Sequence, residues 1–237
     1  MNKVKLHTLW LLGMLFLMTA CGDDDDYYYP SVKLEFVTVK AGADGLIQSL
    51  LPDKGELLTV AKDRTGSTIS PNTARRVISN YEVNPEDATA VIYSLQSVVT
   101  PEPKEADDPA FEGGLKYDPV DVTSIWLGRD YLNMILNVKI NINSGKQHVF
   151  GMIEESVEAE GDETVVTLSL FHDANGDEEN YNRRAYISVP LTKYVDEENP
   201  HQAIRIKFKY HTTDKNGVVV ESSKYCDPGF EYVPGVN

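Results

Sequence analysis

The side chains able to do chemistry in this chain are few, and their spacing narrows the choices further. Phe171-His172-Asp173-Ala174-Asn175-Gly176-Asp177 is the richest polar cluster. Asp173, Asn175 and Asp177 repeat the one-three-five spacing of a calcium loop, in which alternate oxygens turn toward one ion. The sixth position is Glu178 rather than Gly and the twelfth is Arg184 rather than Glu, so the EF-hand pattern fails and only a looser calcium loop remains. The plainer reading is a hairpin in which Asn175-Gly176 supplies positive φ and the acids are solvated. His148 and His172 fall on expected strands. As a zinc pair they would need further ligands that no spacing supplies, so each is expected to hydrogen-bond to backbone or to a carboxylate. Trp126 and Tyr131 flank the tight turn Gly128-Arg129. They are the candidate aromatic platform for a sugar, with packing in a core as the alternative. There is no GxSxG, P-loop or dinucleotide fingerprint. Carboxylate pairs could serve a glycosidase, but the acids cluster in turns and polar stretches where water would cover them. No catalytic residue, no cofactor and no committed metal site are expected.

The two cysteines, Cys21 and Cys226, have different prospects. Lys3 and Lys5 precede an apolar run over 9–17 broken only by Gly13. That run is about half of the ~20 residues a membrane span needs, so residues 1–20 read as a secretory signal. Met18-Thr19-Ala20-Cys21 resembles the lipobox of bacterial lipoproteins, with Met18 where Leu is usual. The resemblance implies cleavage before Cys21 and acylation of Cys21 with chains such as palmitate. Each buried CH₂ contributes about 0.8 kcal/mol, so two or three chains make release negligible. The expected partner is therefore a membrane, held through Cys21 in the cell envelope, with the outer membrane the expected site. Asp23 to Asp26 cannot bury four adjacent carboxylates and, with Tyr27-Tyr28-Tyr29-Pro30, form a tether over 21–30. An acidic run in this place also resembles the surface-export signal of some Gram-negative lipoproteins; a plain spacer is the alternative. Cys226 is left without an intrachain partner and reads as a small, partly buried thiol.

Net charge is −15; loss of Lys3 and Lys5 leaves 20 basic residues against 37 acidic, or −17. This balance argues against nucleic acid and against adsorption to anionic headgroups. It leaves a protein or peptide partner, or a glycan.

These residues must be positioned by strands, because the apolar period is two nearly everywhere after residue 30. Val32, Leu34 and Phe36 alternate, and then Val37 and Val39 take the opposite face, which predicts a bulge at Phe36-Val37. Leu46 to Leu51 and Glu56 to Ala61 flank Pro52-Asp53-Lys54-Gly55 as a hairpin. Val77, Tyr81 and Val83 share a face, as do Val91, Tyr93, Leu95 and Val99. Five short strands over 31–100 predict a small OB-like barrel. Residues 101–116 carry three prolines, five acids and a Gly-Gly pair with no period, and read as a linker. Residues 117–237 carry seven further strands. In the best of them Leu132, Met134, Leu136, Val138 and Ile140 oppose Asn133, Asn137 and Lys139, the pattern of an antiparallel sheet with one dry face. The expected fold is all-β: an OB-like barrel followed by an antiparallel β-sandwich.

Trp126-Leu127-Gly128, Tyr131-Leu132-Asn133, His148, and Leu168-x-Leu170-Phe171-His172-Asp173 before Gly176-Asp177, taken with Arg76-Val77 to Tyr81 and the lipobox, resemble the NigD-like lipoproteins. The resemblance implies the same two domains and a link to bacteriocin immunity, and it names no substrate or site. A non-catalytic, lipid-anchored binding protein is therefore expected, with a glycan-binding accessory lipoprotein as the alternative and a hydrolase the least supported. An apolar surface across the domain junction would favour a protein partner; aromatics in line on one sheet face would favour a glycan.

Overall fold

The computed structural model describes residues 31–161, 163–177 and 181–235. The signal, Cys21, the acidic tether and Glu178 lie outside the described residues.

The first domain is a closed five-stranded barrel: β1 (Val32–Ala41), β2 (Ile47–Pro52), β3 (Leu58–Asp63), β4 (Ala74–Asn84) and β5 (Thr89–Ser97), in the order β1-β2-β3-β5-β4. Parallel pairing of β3 with β5 completes the closure and removes the free edges that so small a sheet could not cover. Val37, Val39, Leu50, Tyr81 and Ile92 fill the interior.

Two details of the barrel differ from the expectation, and both have physical causes. No bulge lies at Phe36-Val37, because β1 pairs with β4 without interruption from Val32 to Lys40; its one irregularity, against β2, is between Lys40 and Ala41. The strand has two apolar faces because it has two partners. Val37 and Val39 point into the barrel, while Phe36 points out and is buried against the second domain. On β5 it is Ala90 and Ile92 that are buried, not Val91 and Tyr93; a register shift between Asn80 and Tyr81 of β4 lets Leu95 pack inward further on.

The sandwich has two sheets. One runs β13 (Val219–Tyr232), β12 (Ile204–Thr213), β10 (Glu163–Asp173), β9 (Val149–Glu160), β6 (Pro103–Glu105); the other runs β11 (Tyr181–Pro190), β8 (Tyr131–Ile140), β7 (Asp121–Gly128). Leu132, Met134 and Leu136 of β8 face Leu168 and Leu170 of β10 and Ile206 and Phe208 of β12 across one core. Most neighbours are antiparallel, but β10 with β12 and β6 with β9 run parallel.

The stretch 101–116, expected as a linker, is part of the sandwich. Strand β6 extends the larger sheet, and a 3-10 turn at Pro109–Phe111 buries Phe111 against Phe171, ring centres 5.0 Å apart. Lys193 Nζ also donates to the Pro103 carbonyl at 3.0 Å. Three residues are too short to show a period, and one phenylalanine anchors the rest. Just before it, Val99 pairs in parallel with Ile187 of β11. One segment thus runs along β11 of one sheet and then β9 of the other.

Candidate functional site

The outer face of the β7/β8/β11 sheet meets the barrel. Trp126 of β7, Ile135 of β8 and Tyr186 of β11 pack on Phe36, Ile78 and Val98. The Trp126 and Phe36 rings meet edge to face at 5.2 Å. Alongside this apolar contact lies a buried polar cluster centred on Arg76 of β4. Its Nε donates to Ser188 Oγ at 3.0 Å, and one terminal nitrogen donates to Asn133 Oδ1 at 3.1 Å and pairs with the Asp53 carboxylate. Asn133 Nδ2 returns a bond to the other Asp53 oxygen at 2.8 Å. The guanidinium also lies 4.4 Å from the centre of the Tyr131 ring. An arginine this deeply buried is tolerable only when its charge is paired and hydrogen-bonded, and Asp53, Asn133 and Ser188 do both here.

Two neighbouring positions follow from that cluster. A Cβ on Gly128 would stand 2.2 Å from Asp53 Oδ2 and 2.5 Å from Asn133 Nδ2, so the carboxylate occupies the room a side chain would need. Arg129, at φ 50°, reaches the barrel hairpin and donates to the Pro52 and Gly55 carbonyls at 3.2 and 2.8 Å. The residues Trp-Leu-Gly and Tyr-Leu-Asn that stand out in the sequence are therefore the parts that fasten sandwich to barrel.

At the rim of this junction is a groove of about 390 Å³. Phe36, Ile78, Trp126, Leu127 and Ile135 form its apolar wall, and Leu34 stands 66% exposed at its mouth. Through Gln96, Arg184 and Tyr186 it adjoins a larger cleft of about 820 Å³ between the edge of β11 and β9. That cleft is lined by Val138, Ile140 and Phe150 with Lys146, Arg183 and Arg184. Together they form one continuous concave surface along the junction and the edge of β11.

The far end of the cleft reaches His148. His172 Nδ1 lies 2.9 Å from the Asp118 carbonyl, which can only accept, so the network assigns the proton to Nδ1 and leaves Nε2 to accept. Its partner is His148 Nδ1 at 2.9 Å, and His148 Nε2 lies 3.4 Å from Asp177 Oδ2. Phe150 stacks on His172 at 4.6 Å. Burial holds the His172 imidazole below the ordinary histidine range, against the opposing pull of its bond to Asp118. Each nitrogen of both rings thus has a polar neighbour.

The residues singled out from the sequence do not converge. Trp126 and Tyr131 lie on the same sheet face but are engaged with Phe36 and Arg76, and the Asp53, Gly128 and Asn133 group separates them; they make no open platform. Asp173 and Asp177 diverge. Asp173 Oδ1 accepts from Asn175 N at 2.7 Å in an exposed turn with Asn175 at φ 56°, while the Asp177 side chain turns inward and accepts from Asn141 N at 2.9 Å. Among the described residues no three His, Cys, Asp or Glu side chains group to hold a metal. Cys226 is half-buried, with its Sγ 3.5 Å from the Phe208 carbonyl; burial raises the thiol, opposite to what a nucleophile needs. Sequence reasoning missed Arg183, Arg184 and Leu34 as site residues. The signal was there in an exposed Arg-Arg pair on a strand.

Two family profiles match: the NigD-like N-terminal OB domain over residues 36–98 and the NigD-like C-terminal beta sandwich domain over residues 103–222. Among solved structures, a NigD-like immunity protein from Bacteroides caccae ATCC 43185 is 70% identical, with 88% of this chain and 100% of that one covered at a TM-score of 0.78. A protein of unknown function from Bacteroides vulgatus ATCC 8482 is 17% identical over 87% of this chain and 96% of its own, TM-score 0.60, and shares the fold. No curated protein sequence matches significantly.

Proposed function

The chain belongs to the NigD-like family, and we propose that it is a lipid-anchored, non-catalytic binding protein of the cell envelope that takes a protein or peptide partner at its barrel–sandwich junction. The observation that carries this reading is the junction groove, with Leu34 exposed beside the apolar wall of Phe36, Ile78 and Trp126. An apolar concavity between two bodies clamped together is suited to a protein ligand, since binding there costs little reorganisation. A glycan would need aromatic rings open along one face, and Trp126 and Tyr131 are engaged elsewhere.

The immunity role in the name of the Bacteroides caccae relative supplies the finer proposal: the partner is a bacteriocin-like toxin, neutralised by capture rather than by chemistry. The closed hydrogen bonding of His148 and His172 and the raised Cys226 thiol support the non-catalytic part. The anchor is acylated Cys21 in the outer membrane, with the tether over 21–30 holding the domains away from the headgroups, at the cell surface.

Both parts are tested in cells of the source organism. Cys21→Ser should move the folded protein out of the membrane fraction; a variant that stays there, with no acyl label on the wild type, ends the anchor proposal. Cross-linking should capture a partner with wild type and lose it with Leu34→Asp, a change at an exposed position. Equal capture by both would place the partner elsewhere.

A further inference from the structure

The open edge of β11 is the feature of the cleft that has no role in the fold. Val99 N donates to the Tyr186 carbonyl and Ser188 N donates to the Val99 carbonyl, each at 2.9 Å. The backbone groups of Tyr186 and Ser188 therefore face away from β8. By the two-residue period of a strand, those of Asn182 and Arg184 face the same way. Beyond Val99, no described residue pairs with β11 on that side. Val99 thus forms the first rung of a ladder whose next positions are vacant, and the cleft lies directly against them.

The lining says what would fill those positions. The chain carries a net charge of −15, yet this edge presents Arg183 and Arg184 side by side, with Lys146 across the cleft. Among the described residues no carboxylate pairs with either arginine, whereas Lys193, Arg205, Lys207 and Lys209 of the same domain each have one. Arg183 and Arg184 point to opposite faces of the strand, so an added strand would meet a guanidinium on each side. Val138, Ile140 and Phe150 give the cleft side an apolar floor.

Resting on the proposal that the junction binds a protein or peptide, we infer that the edge of β11 is a strand-addition site for an extended acidic peptide. The peptide's backbone pairs with Asn182 and Arg184, its carboxylates on one face lie by Arg184, and its apolar side chains on the other enter the cleft over Val138 beside Arg183. Main-chain pairing supplies affinity without sequence demands, and the arginines choose the charge.

The test uses the mature soluble chain (Cys21→Ser) and a short capped peptide of alternating Glu and Val. Two twins serve as controls, one with Lys for Glu and one N-methylated on alternate backbone nitrogens. The acidic peptide should bind about tenfold tighter than either twin, and should slow hydrogen exchange at the amides of Asn182 and Arg184. Asn182→Pro removes an edge-facing N–H and no bond to β8, so it should weaken binding while the melting temperature holds. Arg183→Glu with Arg184→Glu should reverse the preference between the Glu and Lys peptides. Absence of binding by the acidic peptide overturns the inference, as does binding indifferent to N-methylation and to Asn182→Pro. Exchange protection around Leu34 and Trp126 with none on β11 also overturns it while leaving the junction reading intact. Loss of the cellular partner's dependence on Leu34 ends that reading instead.

Discussion

The Arg76 cluster lies between two domains and the His148/His172 pair lies within one, and they handle buried polarity in different ways. Around Arg76 a full charge is buried and met by an opposite charge, with Asn133 and Ser188 filling the remaining directions. Around His172 the ring is kept neutral, and a carbonyl, a second imidazole and a stacked phenyl ring replace water. The first arrangement does not tolerate the loss of one charge alone, because the other is then stranded as a buried ion. The second can lose a bond and fall back on stacking. Both contain residues that stand out in the sequence. Distinctive polar residues in this chain mark where pieces of the fold are fastened.

The comparison is broken most severely at Arg76. Arg76→Met leaves Asp53 without its counter-charge at the junction and should cost about 3–5 kcal/mol, with urea unfolding separating into two transitions as the barrel and the sandwich lose their link. Adding Asp53→Leu should recover most of that loss, since the pair as a whole contributes little net stability. A cost below about 1 kcal/mol for Arg76→Met would mean that the cluster is not a clamp.

Gly128→Ala tests the same cluster by crowding. The new methyl group must displace a carboxylate that Arg76 holds in place, and should cost about 1–3 kcal/mol, readable as a lower urea midpoint at unchanged slope.

The histidine pair is to be broken with pH. Burial lowers the His172 pKa from its ordinary 6.5, so the unfolded chain binds that proton more readily than the folded one. Its contribution is complete above about pH 6.5 and declines as the pH falls from there through the lowered folded value. Thermal melts from pH 8 to 5 should therefore show a loss of stability on the acid side that is smaller in His172→Gln. Equal slopes in wild type and His172→Gln would remove His172 as its source.

The smallest effect belongs to the exposed turn beside the pair. Asp173→Ala should change stability by no more than about 0.5 kcal/mol, and added calcium should leave the melting temperature where it was. A calcium-dependent rise lost in Asp173→Ala would restore the ion-binding loop.

The alternation of β8 is readable because one face is apolar core and the other carries Asn133, Asn137 and Lys139, and the barrel hairpin at Pro52-Asp53-Lys54-Gly55 because turn chemistry is local. The face change at Phe36 was visible, but not its meaning: a strand buried on both sides looks the same as one that has slipped by a residue. β6 has three residues and no period to read. The Arg76 cluster joins positions 53, 76, 133 and 188, and such separations carry no spacing signal. The groove exists only where two folded domains meet, so its lining is scattered along the chain. Arg183 and Arg184 could have been found, since two adjacent arginines on a strand must leave one on each face.

Those arginines bear on how the protein behaves at high concentration. An unpaired sheet edge is normally a hazard, because a second copy can add its own edge to it and begin a chain of copies. Here any such approach would set guanidinium groups among guanidinium groups, and like charges opposed across strands repel. The same residues that would admit a carboxylate-bearing strand turn away the most abundant competing edge, the one on an identical neighbour. Crowding therefore raises the local density of open edges without joining them.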